Sequence, residues 1–456
     1  MTTGKAAAEY LGMFRMLVAT TALAALAAPL TAQTVQTRQV GSATLQNVPE
    51  IPADVRDAVQ RYQNSRAALF EGWLPDGSML IATRFGATQQ IHHVAAPGRA
   101  RTQISFGSEP IAEAHVIPGS DRFVTVGDTG GDEWFQLDLR GLAGTASRLT
   151  EPGTRNQSPV FSKDGSLLVW ARATKGSAAY SLLALNPKAE GPPRELYRAD
   201  GAIEPADVAT DKGRLIFVRG LSNREDRLFE LQLATGKAIR IAPKAAPAIY
   251  QKPRYLPGER SLVAISDSGN DTRQLVEIDI ATGRQTVLTP GLGWDVEDYD
   301  LSDDGRLLAY SINEDGFSRV VVQDRVTRRT LPQPVLPKSV LTALKFTPDG
   351  RRLAIGLTSA TSVGDVWSWD VDGATLTRWT TSELGELDPA RLAEPELIRF
   401  TSFDGLSVPA FVYRPKGVPA DRPTPVIIDI HGGPEAQPGR SGTMARNISP
   451  MCCRRP

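Results

Sequence analysis

Lys163-Asp164-Gly165 is followed at once by the apolar stretch Leu167-Leu168-Val169. The same phrase, a tight turn and then a strand, occurs as Pro75-Asp76-Gly77 before Met79-Leu80-Ile81 and as Pro118-Gly119-Ser120-Asp121 before Phe123-Val124. It returns at Asp211-Lys212-Gly213, Pro257-Gly258-Glu259, Asp303-Asp304-Gly305 and Pro348-Asp349-Gly350. The copies are spaced 43 to 48 residues apart. Glycine in such turns supplies a positive φ at little steric cost. A fixed period of this size, filled with short strands and turns, predicts a β-propeller. Seven copies from about residue 66 to about 385 predict seven blades, each of four strands.

Strand patterns inside the repeat agree. Leu228-Phe229-Glu230-Leu231-Gln232-Leu233 runs into Ala234-Thr235-Gly236-Lys237, and Leu275-Val276-Glu277-Ile278-Asp279-Ile280 runs into Ala281-Thr282-Gly283-Arg284. Alternation puts one face against a neighbouring blade and the other toward solvent or the next sheet. An array of β-sandwiches is the alternative, and the regular period argues against it. Ahead of the repeats, Val55, Ala58, Val59 and Tyr62 recur at helical spacing behind Pro52, which predicts a helix over 52–62.

Composition narrows the function classes. Lys plus Arg and Asp plus Glu both number 51, so the chain lacks the basic excess that nucleic-acid binding requires. The N-terminus reads as a targeting segment: Arg15 precedes an apolar run from Met16 to Leu30, and Leu30-Thr31-Ala32 resembles a cleavage site. Met13 serves equally well as its start. The run is short and Ala-rich for a membrane span, so export with cleavage, without stable membrane insertion, is expected, to the periplasm or outside the cell. The two cysteines, Cys452 and Cys453, lie next to the end, so the propeller is no disulfide scaffold.

The repeats give way to an acidic, Pro-containing linker from Gly385 to Glu396. Leu397-Ile398-Arg399-Phe400 and Val408-Pro409-Ala410-Phe411-Val412-Tyr413 then flank Phe403-Asp404-Gly405, which predicts a hairpin. Pro425 to Ile430 is nearly all apolar, as a buried parallel strand would be, and it ends in His431-Gly432-Gly433-Pro434. Glycines at a strand end let backbone N–H groups approach an oxygen that turns negative during acyl transfer. Such a loop helps form the oxyanion hole of α/β-hydrolases. A plain Gly-Gly turn accounts for the motif equally well in isolation; its place after seven repeats and a hairpin favours the hydrolase.

The chain resembles the prolyl oligopeptidase family of serine peptidases. The resemblance rests on Arg61-Tyr62-Gln63-Asn64-Ser65-Arg66, Gly72-Trp73-Leu74-Pro75-Asp76-Gly77, Gly131-Asp132-Glu133-Trp134-Phe135-Gln136, Trp294-Asp295-Val296-Glu297, Asn313-Glu314-Asp315-Gly316, Phe400-Thr401-Ser402-Phe403-Asp404-Gly405 and His431-Gly432-Gly433-Pro434-Glu435. It implies a propeller stacked on an α/β-hydrolase, peptide substrates and a Ser-Asp-His triad acting through an acyl-enzyme. It implies an oxyanion-loop role for His431, Gly432 and Gly433, and no cofactor. Acylaminoacyl and dipeptidyl peptidases are the relatives it suggests.

The sequence departs from that pattern in one respect. No Gly-x-Ser-x-Gly occurs; Gly439-Arg440-Ser441-Gly442 has the wrong spacing, and none of His92, His93, His115 and His431 follows a nucleophile elbow. Only 60 residues run from Leu397 to the end. The stretch from Pro438 to Pro456 holds four arginines, three prolines, both cysteines and no acid. The expected organisation is therefore a leader over 1–32, a helical segment over 33–65, the propeller over 66–390, the start of an α/β-hydrolase over 391–437 and an aberrant or disordered tail over 438–456. A frameshift or early stop just after Gln437 explains the tail; a natural short form is the alternative. The chain as written is expected to be inactive. A periplasmic binding platform, like the propellers of the Tol translocation type, is the alternative function, and a peptide-binding pseudoenzyme a third.

Two acidic loops remain. Gly127-Asp128-Thr129-Gly130-Gly131-Asp132-Glu133 offers Glu133 as a holder of a substrate's amino end, by resemblance to some peptidases of the family; a hairpin turn with Asx hydrogen bonds is the simpler account. Asp295, Glu297 and Asp298 beside Trp294 pose the same choice, and their spacing is not that of a calcium loop. His92 and His93 point to opposite faces of one strand and so do not share a metal, one of them facing solvent; no metal site is expected.

Overall fold

The structure, a computed structural model, describes residues 35–40, 43–243, 246–419 and 422–429. The leader, His431-Gly432-Gly433 and the tail lie outside the described residues. The chain divides into two units, 1–57 and 58–456. In the first, Thr37–Val40 pairs with Ala43–Gln46. An 11-residue helix, Ala53–Gln63, crosses the division where helical spacing placed one, and it buries Tyr62.

The second unit holds seven four-stranded antiparallel sheets, each built from four consecutive strands. Blade 1 runs from Leu69 to Gln103, blade 2 from Glu113 to Arg148, blade 3 from Thr154 to Asp200 and blade 4 from Ile203 to Ala242. Blade 5 runs from Tyr250 to Val287, blade 6 from Val296 to Thr330 and blade 7 from Val340 to Arg378. First strands lie against one another between blades 1 and 2, 3 and 4, 4 and 5, 6 and 7, and 7 and 1, and the first strands of blades 3 and 6 meet inner strands of blades 2 and 5, so the blades close a ring.

The repeated turn lies between the first and second strands of each blade. Its chemistry is local. Ser162, Ser302 and Thr347 donate from their hydroxyls to Asp164, Asp304 and Asp349 at 2.6, 2.5 and 2.5 Å. Each of these carboxylates also accepts the backbone N–H two residues on, from Ser166, Arg306 and Arg351. These bonds hold the turn carboxyls below their ordinary range, with the Lys212 ammonium the largest influence at Asp164. The glycine that follows has a second duty. Gly165 sits at φ 66°, and a Cβ there would lie 2.6 Å from the carbonyl oxygen of Pro118 in the preceding blade's turn.

The core is divided into seven apolar layers, one between each pair of adjacent blades. The second strand of a blade is covered on both faces. Met79–Thr83 is therefore buried throughout, its second face meeting the next sheet and not solvent.

No strand is exchanged between the ends of the ring, so side chains and a few backbone bonds hold blade 7 to blade 1. Trp73 donates from Nε1 to the Lys345 carbonyl at 3.0 Å and meets Trp379 edge-on at 5.4 Å. The Arg352 guanidinium lies 4.8 Å from the Trp73 ring and 5.7 Å from the Trp379 ring, and it donates to the Gly77 carbonyl at 3.0 Å. Beyond the blades, Arg66 N–H bonds the Glu383 carbonyl at 2.9 Å.

After blade 7 the expected hairpin is present as Glu396–Thr401 paired with Ser407–Val412. The buried strand expected from Pro425 is not seen over Pro425–Asp429. Those residues form no strand, and Val426, Ile427 and Ile428 are 81%, 58% and 79% exposed. A central strand takes its hydrogen bonds from strands on both sides, and no described strand lies beside this one.

Arg352→Ala removes a charged hydrogen bond and a guanidinium that lies against two indoles. It is expected to lower stability by about 2–3 kcal/mol in urea unfolding followed by tryptophan fluorescence. Arg352→Lys, which keeps the charge but not the planar fork, should fall between. A loss below about 0.5 kcal/mol for Arg352→Ala would show that the seam is held by apolar packing alone.

Candidate functional site

The axial channel is lined by the first strands, and their local geometry decides what points into it. Six of the seven carry a register shift against the second strand: at Phe70/Gly72, Gln157/Val160, Pro205/Asp207, Gln251/Arg254, Val296/Asp298 and Leu341/Ala343. A bulge bends the strand, increases its twist and re-aims side chains. Sequence reading misses these bulges, because one extra residue disturbs the alternation in a strand of five to eight. The prolines Pro159 and Pro253, each beside a positive-φ residue, Ser158 and Lys252, were the available signal.

Acids on these strands staple one blade to the next. Glu71 of blade 1 accepts from the Ala114 N–H of blade 2 at 2.7 Å, and Asp207 of blade 4 accepts from the Tyr255 N–H of blade 5 at 2.8 Å. Asp300 of blade 6 accepts from the Phe346 N–H of blade 7 at 2.8 Å. Asp300 also binds Arg254 of blade 5 at 2.5 Å and Lys345 of blade 7 at 3.0 Å, so one carboxylate ties three blades. Lys252 pairs with Asp298 at 2.5 Å. Lys163 of blade 3 donates to the Asp303 carbonyl of blade 6 at 3.3 Å, joining two blades that are not neighbours.

Burial sets the charge states. Desolvation pushes the Glu71 carboxyl up to about 8; the Ala114 N–H opposes this and the nearby Glu113 adds to it. Desolvation also raises Asp207, against the pull of Arg254. At Arg254 burial works against the charge, but Asp300 and Asp207 outweigh it and keep the guanidinium protonated. Most first-strand acids thus meet a cation or a backbone N–H, while burial raises Glu71 and, with the nearby Asp226, Glu204.

Of the acids singled out in the sequence, Asp295 and Glu297 have bonded carboxylates and Glu133 does not. Glu133 sits at φ 59° in its turn; its N–H bonds Asp128 at 2.8 Å, and its carboxylate, 74% exposed, lies 3.9 Å from Arg155. Asp295 receives the Arg273 N–H and guanidinium at 2.7 and 2.8 Å, and Glu297 accepts from the Asn313 amide at 2.7 Å. His92 and His93 do face opposite ways, but neither faces solvent. His92 is buried, and His93 is half-buried with Nε2 2.8 Å from Ser78 Oγ. Among the described residues no group of three or more His, Cys, Asp or Glu is placed to hold a metal.

Four antiparallel strands return the chain to the face it started from. The entry at Arg66 and the exit at Glu383 therefore share one end of the channel, where Arg66 N–H bonds the Glu383 carbonyl. The hairpin 396–412 stays on that side: Arg399 pairs with Asp315, in the turn between the second and third strands of blade 6. The closed ring of seven blades matches the folds of solved peptidases. The fold is the propeller fold of prolyl oligopeptidases.

Prolyl oligopeptidase B from Galerina marginata, solved with a 35mer hydrolysis and macrocyclization substrate, matches with a TM-score of 0.67 at 12% identity, over 84% of this chain and 64% of its own. Puromycin hydrolase matches with a TM-score of 0.67 at 17% identity, over 86% of this chain and 66% of its own. A prolyl endopeptidase studied for inter-domain dynamics in catalysis and specificity matches with a TM-score of 0.61 at 13% identity, over 86% and 65%. This chain therefore spans just under two thirds of the length of the structures it matches. No protein-family model and no curated protein sequence matches it.

Two outcomes follow for the wall. Asp300→Ala removes the buried carboxylate that Arg254, Lys345 and the Phe346 N–H share and should cost about 3–5 kcal/mol, whereas Glu314→Ala at the exposed Arg319 pair should cost under about 1 kcal/mol. Urea unfolding of both variants checks the contrast, and equal losses would contradict the staple. Glu71 has a folded pKa above its unfolded one, so the folded state binds the extra proton. Its contribution is full below about pH 4.5 and is lost as pH rises through about 8. Glu71→Gln should flatten the fall in Tm between those limits; an unchanged slope would place the proton elsewhere.

Proposed function

We infer that this chain carries the substrate-admitting propeller of an exported serine peptidase of the prolyl oligopeptidase family, with the first segments of its α/β-hydrolase part. The observation that carries the reading is the match of 86% of the chain to a peptide-hydrolysing fold, followed by the hairpin 396–412 and the apolar run that leads in sequence to His431-Gly432-Gly433. Peptides are the substrate class: a ring of paired charges around a narrow axis suits a passage for extended chains better than a pocket for a compact ligand. The apolar run at 425–430 suits a sheet strand, and its exposure over Val426–Ile428 is what such a strand shows without neighbours. The leader over 1–32 supports a periplasmic or secreted location.

Hydrolysis in this family-type reading needs a serine nucleophile, a histidine base and an orienting acid. These 456 residues contain no Gly-x-Ser-x-Gly. The role left to them is admission and binding, with His431 and its glycines as the oxyanion loop.

A fluorophosphonate probe and a fluorescein-labelled proline-containing peptide test this together on the purified chain. The expected result is saturable peptide binding by anisotropy without covalent labelling by the probe. Covalent labelling would reveal a nucleophile that the reading denies, and no peptide binding at any attainable concentration would remove the peptide role.

A further inference from the structure

The face that blade 1 turns toward blade 7 carries three buried polar atoms that no protein group satisfies: Thr83 Oγ1, His92 Nε2 and Arg101 Nη1. The strand register places them together. Ile81 lies opposite His92 and Thr83 opposite Gln90, while His92 lies opposite Gln103 and Val94 opposite Arg101. Thr83 is thus a diagonal neighbour of His92, and His92 of Arg101, on one surface, the surface whose Ile81 and Val94 pack on Ala354, Val366 and Trp379 of blade 7. Buried polar atoms are almost always bonded, so three orphans on one face, linked through His92, call for a partner.

The surroundings say what kind. His92 Nδ1 lies 3.1 Å from the Gln90 carbonyl, which fixes the proton there and turns Nε2 toward the orphans. The Phe85 ring meets His92 edge-on at 4.7 Å and lies 5.3 Å from the Arg101 guanidinium and 5.8 Å from that of Arg66. Gln103, across from His92, spends its amide on the Ser105 carbonyl. The one carboxylate beside these cations is Glu383, engaged by Arg101 Nη2 and 3.9 Å from Arg66. Two guanidiniums against one carboxylate leave a net positive charge. An Arg N–H, a Thr hydroxyl and, once protonated, a His N–H are all donors.

We propose that the seam between blades 1 and 7 holds a small-anion site, made by Thr83, His92 and Arg101, in which anion binding is coupled to protonation of His92. A monatomic or small inorganic anion suits it, since all three atoms are buried and, once His92 is protonated, each offers a donor. Without the anion, burial and the Arg101 charge both hold His92 below its ordinary range. With the anion in place, that charge is compensated and the imidazolium is favoured. Linkage then runs both ways: anion affinity rises as pH falls, by up to about tenfold per pH unit in the range where His92 takes up its proton. The ring lacks strand exchange at this seam, so a ligand bound there stabilises the closed propeller.

Chloride is the probe, with gluconate at equal ionic strength as the bulky comparison, and Tm as the readout on the full chain. Chloride is expected to raise Tm over gluconate, more at mildly acidic than at mildly alkaline pH. His92→Gln should keep part of the chloride effect and lose its pH dependence. Arg101→Met should lose the chloride effect and so report the non-specific influence of the two salts. A chloride effect of the same size and pH dependence in all three proteins, or none in the wild type, would overturn the site and leave the orphans to water. If Arg101→Met does not fold, chloride-35 line broadening on the wild type and His92→Gln decides: broadening that grows with acid only in the wild type supports the site, and equal broadening in both refutes it.

Discussion

Seven sheets around an axis are stable only if the last packs on the first, and in this protein the ring is closed without a shared strand. Every other blade interface has the connecting chain to keep its partners near each other. The interface between blades 7 and 1 joins segments about 275 residues apart, so its contacts must repay the closure of the whole ring. The Trp73–Arg352–Trp379 stack and the Ala68, Val94 and Val366 layer do this by burying apolar area around a cation that the indole faces attract. Where that seam reaches the end of the channel, the packing turns polar, and there the protein gathers Arg66, Arg101, His92 and Glu383.

The axis presents a related problem. First strands crowd together at the centre, and their polar atoms lose water there. The chain answers with carboxylates that accept the next blade's N–H and pair with cations from a third blade, Asp300 above all. Such groups are costly to bury and more costly to leave single, which ties the blades into a fixed register around the ring. The same pairs give the channel its character: charges of both signs set side by side.

Much of the fold was legible from the residues. The Asp-Gly turns announce themselves because their chemistry is local: a Ser or Thr two positions earlier, the Asp carboxylate and the positive-φ Gly all act within one turn. The period of 43 to 48 residues then counts the blades. The helix after Pro52 and the hairpin around Phe403-Asp404-Gly405 are local in the same sense. Pro425–Asp429 was harder, because an apolar run becomes a strand only when neighbouring strands pair with it. Asp295 and Glu297 looked like site residues and have their carboxylates bonded to Arg273 and Asn313, a use that composition does not distinguish from binding, whereas the Glu133 carboxylate stays exposed.

What the amino-acid order determined by itself was the repeat: turn, strand, turn, strand, seven times, since those signals act over a few residues. Which acids would meet which cations was decided only by the ring, because Asp300, Arg254 and Lys345 are about 45 residues apart and become neighbours only when blades pack side by side. The bulges that aim the first strands inward, and the orphaned atoms of Thr83, His92 and Arg101, likewise arise from the closure of the circle. A polar atom is left without a partner by what surrounds it in space, and no stretch of sequence holds that information.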